Sequence, residues 1–112
     1  MMPKPKLYFQ YEVPTSVVMI VKAVCADYRR RENKIKYSTI TGTTLARCVE
    51  LNAIIDKALE EVEVGARGDM LCDICTKRGY DSSPCGVYMG KNTYYRRKRK
   101  LIYDIAKSLS LL

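Results

Sequence analysis

The chain has 112 residues, 47% of them hydrophobic, and a formal net charge of +8. That length suits one small domain, or a helical arm joined to a second helical module, and the composition is not that of a disordered chain. With no His, the chain lacks the commonest general base and the commonest neutral metal ligand. The charge is also unevenly placed. Residues 91–112 hold seven Lys/Arg against one Asp, whereas residues 1–90 hold thirteen against eleven acidic side chains. A surplus confined to one segment points to a polyanion-binding surface.

Residues 1–14 read as an extended N-terminal arm. Pro3, Pro5 and Pro14 disfavour helix, and Leu7-Tyr8-Phe9-Gln10-Tyr11 suits a strand or an apolar strap. Lys4 and Lys6 are basic enough to touch a DNA backbone, although a simple strap is the plainer reading. No run reaches the ~20 apolar residues that span a bilayer. The best, Val17 to Ala26, is short and interrupted by Lys22. Met1 to Lys6 is not followed by the apolar stretch of a signal peptide. The expectation is a cytoplasmic protein whose five Cys are reduced thiols.

Residues 15–64 read as a helical support region. Thr15 or Ser16 can cap a first helix to about Arg31, with Val17, Ile20, Val21, Val24, Cys25 and Tyr28 on its apolar face. Arg29 to Lys34 then reads as a charged, solvated turn whose arginines are secondary candidates for phosphate. Ile35 to Gly42 is a linker. Thr43 or Thr44 starts a long helix to about Val64, closed by Gly65 and Gly68. Its positions 45, 48, 52, 55, 59 and 62 alternate in steps of three and four, like a heptad seam. Asn52 on that seam either fixes register in a homodimer through the 43–64 helix or faces a wet edge of a helix packed within its own domain.

Residues 65–112 read as a helix-turn-helix region. Asp69 is a candidate N-cap for a short helix carrying Met70, Leu71, Ile74 and Cys75, which Arg78-Gly79 ends through a left-handed glycine. The connector 80–90 exceeds the ~3–4 residues of a simple helix-turn-helix. It must hold either an extra helical turn or a wing-like loop. A long helix then opens at Lys91. Tyr94, Leu101, Ile102, Ile105 and Leu109 mark its core side, with Lys98 snorkelling out of the same sector. The opposite face carries Asn92, Arg96, Arg99, Lys100, Tyr103 and Lys107. One face to dock on its own domain and one cationic face is how a recognition helix is built.

Other chemistry finds little support. Cys72-Asp73-Ile74-Cys75 is a C-x-x-C with Cys85 further on, but three Cys and no His fall short of the four ligands of a closed zinc site. A redox role would want strand–helix alternation around the motif. Buried structural thiols are the plainest reading. Gly65-Ala66-Arg67-Gly68 lacks the lysine and serine of a phosphate loop. Glu60, Glu61 and Glu63 read as a solvated helix face. No catalytic residue and no cofactor are expected.

The order Arg78-Gly79-Tyr80, an irregular connector, Asn92-Thr93-Tyr94-Tyr95-Arg96-Arg97-Lys98 and a terminal Ile105-Ala106-Lys107-Ser108-Leu109 resembles the C-terminal part of the ArpU/RinA-type phage transcriptional regulators, over about residues 43–112. The resemblance implies an all-α protein with a sigma-factor region-4-like helix-turn-helix, encoded by a phage or prophage and acting in the bacterial host cell. It also implies regulation of transcription on double-stranded DNA, with RNA polymerase as a possible second partner. On this reading Asn92, Thr93, Arg96, Arg99 and Lys100 enter the major groove with Tyr103 beside them, while Lys91, Arg97 and Lys107 hold phosphates. Two other classes stay open. One is a phage accessory or anti-defence protein that docks its basic helix on a host protein. The other is a zinc-stabilised or redox protein using Cys72, Cys75 and Cys85.

Overall fold

In the computed structural model, which describes residues 11–37 and 41–112, the chain is all-α. Among the described residues five helices follow one another: α1 (Thr15–Ala26), α2 (Tyr28–Lys36), α3 (Gly42–Leu59), α4 (Arg67–Cys75) and α5 (Lys91–Ser108). Short 3-10 turns at Val64–Ala66, Tyr80–Ser82 and Pro84–Val87 join the later ones. No strand occurs among the described residues. Lys4, Lys6, the Leu7–Gln10 part of the expected arm and residues 38–40 of the expected linker lie outside them.

One core runs through the helices. Val21 and Cys25 of α1, Ile55 and Leu59 of α3, Met70 and Ile74 of α4, and Tyr94, Leu101 and Ile105 of α5 are all buried in it. The spacing of these residues follows the 3.6-residue period that places one stripe of each helix against its neighbours. α5 matches its sequence pattern most closely: it starts at Lys91, and four of its five expected core residues are buried.

The first helix departs from expectation. Thr15 is its first helical residue instead of its cap. Pro14 is the N-cap, and its carbonyl accepts from the N–H of Val17 and of Val18, each at 3.0 Å. The helix breaks at Asp27 (φ −90°, ψ 3°), and what read as a solvated turn after it is α2. The reason is Arg31, which is buried, not solvated. Its Nε donates to Asn52 Oδ1 at 2.7 Å and its Nη2 to the Val24 carbonyl at 2.6 Å. Asn52 Nδ2 in turn donates to the Tyr28 carbonyl at 3.2 Å. The polar residue of the α3 seam is therefore satisfied inside this chain, and Ile55, Leu59 and Val62 of the same seam are buried with it.

The junctions after α3 also differ. α3 starts at Gly42 and ends at Leu59, earlier than the expected Val64. Arg67 stitches that end, donating to the carbonyls of Val62 at 2.9 Å and Glu60 at 3.1 Å. Gly65 lies in a 3-10 turn, where the Tyr88 ring covers its Cα so closely that any Cβ would collide with it. Gly68 lies inside α4 and closes nothing. Asp69 sits in the first turn of α4, whose N-cap is Ala66, so it is not a cap. α4 ends at Cys75 with Thr76 extended, and Gly79 has φ −104°, not the left-handed conformation. The connector 80–90 takes the extra-turn form, as two 3-10 turns.

α5 ends in a Schellman motif. Leu111 N–H donates to the Ala106 carbonyl at 2.9 Å and Ser110 N–H to the Lys107 carbonyl at 3.0 Å. Ser110, at the C′ position, has φ 61°. A side chain is strained there, whereas glycine is not. Ser110→Gly is expected to raise stability by about 0.5–1 kcal/mol, read from the midpoint of a urea transition, with α-helical content unchanged.

Candidate nucleic-acid interface

α5 is fixed by a buried polar centre before it presents anything outward. Asp73 of α4 is fully buried. Tyr94 Oη of α5 donates to Asp73 Oδ2 at 2.7 Å, and Arg78 Nε donates to Asp73 Oδ1. Cys85 Sγ lies 4.0 Å from Asp73 Oδ2 and 3.8 Å from the Ala66 carbonyl. A buried carboxylate is tolerated only when its lone pairs are met in this way. Sequence periodicity identified Tyr94 as core but passed over Asp73 and Arg78. The available signal was a carboxylate on the apolar stripe of α4, between Met70 and Ile74, facing a core tyrosine that needs a hydrogen-bond partner.

An aromatic cluster completes the support. Tyr94 meets Tyr80 and Tyr95 edge-on, with ring centroids 5.5 and 5.0 Å apart. Tyr80 Oη donates to the Met89 carbonyl at 3.1 Å, and its N–H donates to Tyr95 Oη at 3.3 Å. Lys98 lies with Nζ 5.6 Å from the Tyr94 ring centre and donates to the Arg78 carbonyl at 3.3 Å. That is the snorkelling path its place in the core sector requires.

On this support the nine candidate contact residues separate into two groups. Asn92, Arg96, Arg99, Tyr103 and Lys107 follow steps of four, three, four and four, so they share the outward stripe. Lys91, Asn92, Arg96, Arg99 and Lys107 are exposed, and Tyr103 is half-buried. The Tyr11 ring meets Tyr103 edge-on at 5.5 Å, and Lys107 Nζ lies 5.8 Å from the Tyr103 ring centre. In the N-terminal half of the stripe, Asn92, Arg96 and Arg99 are all exposed, as is Lys91 beside it.

The other group faces the end of α3. Arg97 Nη1 donates to Glu63 Oε2 at 2.5 Å and to the Glu61 carbonyl at 2.9 Å. Lys100 Nζ reaches Glu61 Oε2 at 2.6 Å and Asp104 Oδ2 at 2.7 Å. Partial burial pulls the Lys100 ammonium down, but its bonds to Asp104 and Glu61 outweigh that and hold it above its ordinary value. Thr93 is half-buried on this same flank. Arg97, Lys100 and Thr93 therefore do not share the outward stripe, and Glu61 and Glu63 are ion-pair partners instead of a merely solvated face. Among the secondary candidates, Arg31 is buried, Arg30 pairs with Asp27 at 2.6 Å, and Arg29 is exposed.

The cysteines do not converge. All five thiols are free; Cys72 is exposed, Cys75 half-buried and Cys85 buried. Among the described residues no group of three or more His, Cys, Asp or Glu is placed to hold a metal ion. No helix among them is long and apolar enough to cross a membrane. An open groove of about 340 Å³ between α3 and α5, bordered by Ile54, Lys57, Ala58, Glu61, Asp104 and Lys107, mixes both signs of charge.

Tyr94→Phe leaves Asp73 short of a donor and is expected to cost about 1–3 kcal/mol, while Tyr95→Phe, at an exposed hydroxyl, costs less than about 1 kcal/mol. Chemical denaturation of the two variants checks the contrast. Burial, then the neighbouring Cys75, pushes the Cys25 thiol from 9.0 up to about 12. Burial, then the bond to Asp73, raises Tyr94 above its ordinary 10.0. Both groups keep their protons in the folded chain where the unfolded chain loses them. Stability is therefore fully present below about pH 9 and declines as pH rises further, which thermal melts across that range read directly.

Set against protein-family models, curated proteins and solved structures, the chain has no match in any of the three comparisons.

Proposed function

We propose that this chain binds double-stranded DNA through the outward stripe of α5. The observation that carries the reading is a rigid 18-residue helix with one face locked into the core and Asn92, Arg96 and Arg99 exposed on the other. A helix of that kind fits the major groove, where Arg pairs bidentately with guanine and Asn with adenine. Lys91 and Lys107, at its two ends, are placed for phosphates. The resemblance to ArpU/RinA-type regulators adds the finer reading: a sequence-specific transcriptional regulator of phage or prophage origin, working in the cytoplasm of a bacterial host. α4, the connector and α5 then serve as the sigma-region-4-like helix-turn-helix. RNA polymerase is the protein partner this role brings with it.

Affinity for a DNA duplex should fall with salt. On a random-sequence duplex, where Arg96 and Arg99 would join Lys91 and Lys107 on phosphate, four cations give a log–log slope of about −3 to −4. Arg96→Ala should cost about 1–3 kcal/mol on the preferred site and relax the preference at one base position. Lys107→Ala should weaken all sequences alike and by less. Binding measured by fluorescence anisotropy on selected and scrambled duplexes reads both. A flat salt response would remove DNA as the ligand. Equal, sequence-independent losses from the two variants would favour docking of the basic helix on an acidic host protein.

A further inference from the structure

Two of the cations on α5 are already occupied within the chain. Arg97 holds Glu63 Oε2 at 2.5 Å and the Glu61 carbonyl at 2.9 Å, while Lys100 holds Glu61 Oε2 at 2.6 Å. The segment that supplies these carboxylates is not a loose tail. Val62 between them is buried, and Arg67 pins the carbonyls of Glu60 and Val62. The paired cations retain 28% and 29% of their surface and their carboxylates 37% and 59%, so a phosphate reaching either cation competes with a carboxylate already beside it.

From this we infer that Glu61 and Glu63 are specificity-determining residues for the interface described above: they hold Arg97 and Lys100 away from the DNA backbone and so trim its sequence-independent affinity. The inference rests on the DNA-binding reading. Non-specific affinity scales with the number of phosphates neutralised, each contributing about −0.9 to the salt slope. Two cations withheld in cis lower that term, while the base-facing Asn92, Arg96 and Arg99 are untouched. The ratio of specific to non-specific binding rises as a result. Glu63 is the stronger of the two in this role, because it is the carboxylate partner of Arg97, whereas Lys100 keeps Asp104 when Glu61 is neutralised.

The test measures the salt dependence of binding to a random-sequence duplex for the wild type, Arg97→Gln, Glu63→Gln and the pair E63Q/R97Q. Glu63→Gln should steepen the slope by about 1 and tighten low-salt binding several-fold, and E63Q/R97Q should return to the wild-type slope. Arg97→Gln alone should leave the slope where it was, because Arg97 does not meet phosphate in the wild type. That arm holds even if Glu63→Gln weakens the fold. A slope that Arg97→Gln makes shallower by about 1 would overturn the inference, as would a folded Glu63→Gln with the wild-type slope. In both cases DNA binding itself would stand. A wild type with no salt-dependent binding would instead remove the underlying reading.

Discussion

The placement of α5 depends on one buried carboxylate. Asp73 has no solvent exposure, and its two oxygens are taken by Tyr94 from α5 and by Arg78 from the start of the connector. Apolar packing alone would tolerate a small slide or turn of α5. A short, directional bond into a buried site does not, because turning α5 takes Tyr94 away and leaves Asp73 with Arg78 alone. The direction in which Arg96 and Arg99 point is thus set from inside the core.

A second division of labour runs around the surface of the same helix. The basic run 96–100 reads in sequence as one block of charge, yet its five members do different jobs. Arg96 and Arg99 face outward, Arg97 and Lys100 clamp the end of α3, and Lys98 lies along the Tyr94 ring towards the Arg78 carbonyl. The net charge of the segment overstates what a polyanion would meet. Surface ion pairs contribute little to stability by themselves. Their consequence here is for the field that the helix projects.

The pattern of legible and illegible features follows from range. α5 was readable because its information is local: the repeat at Tyr94, Leu101, Ile102 and Ile105 fixes both its face and its extent. Features that depend on distant partners were not readable. Arg31 reads in sequence as part of a solvated charged turn, and only Asn52, 21 residues away, accounts for its burial. The assignment of Arg97 needed Glu63, 34 residues back. Asp69 has the chemistry of a cap, but Ala66 and Arg67 reach helical geometry first because Arg67 is tied to the end of α3. Gly65 has the chemistry of a terminator, but it lies in a 3-10 turn with the Tyr88 ring against it.

The two buried polar joints have a kinetic side. Arg31–Asn52 and Tyr94–Asp73 each close a loop of the same sequence separation, 21 residues. Loops of that size close far faster than domains typically fold. The chain therefore contains two local hairpins, α2 with α3 and α4 with α5, each able to test its own polar match early. α1 is tied to the first of them directly, since Arg31 also donates to the Val24 carbonyl, and its Val21 and Cys25 lie in the core that both hairpins share.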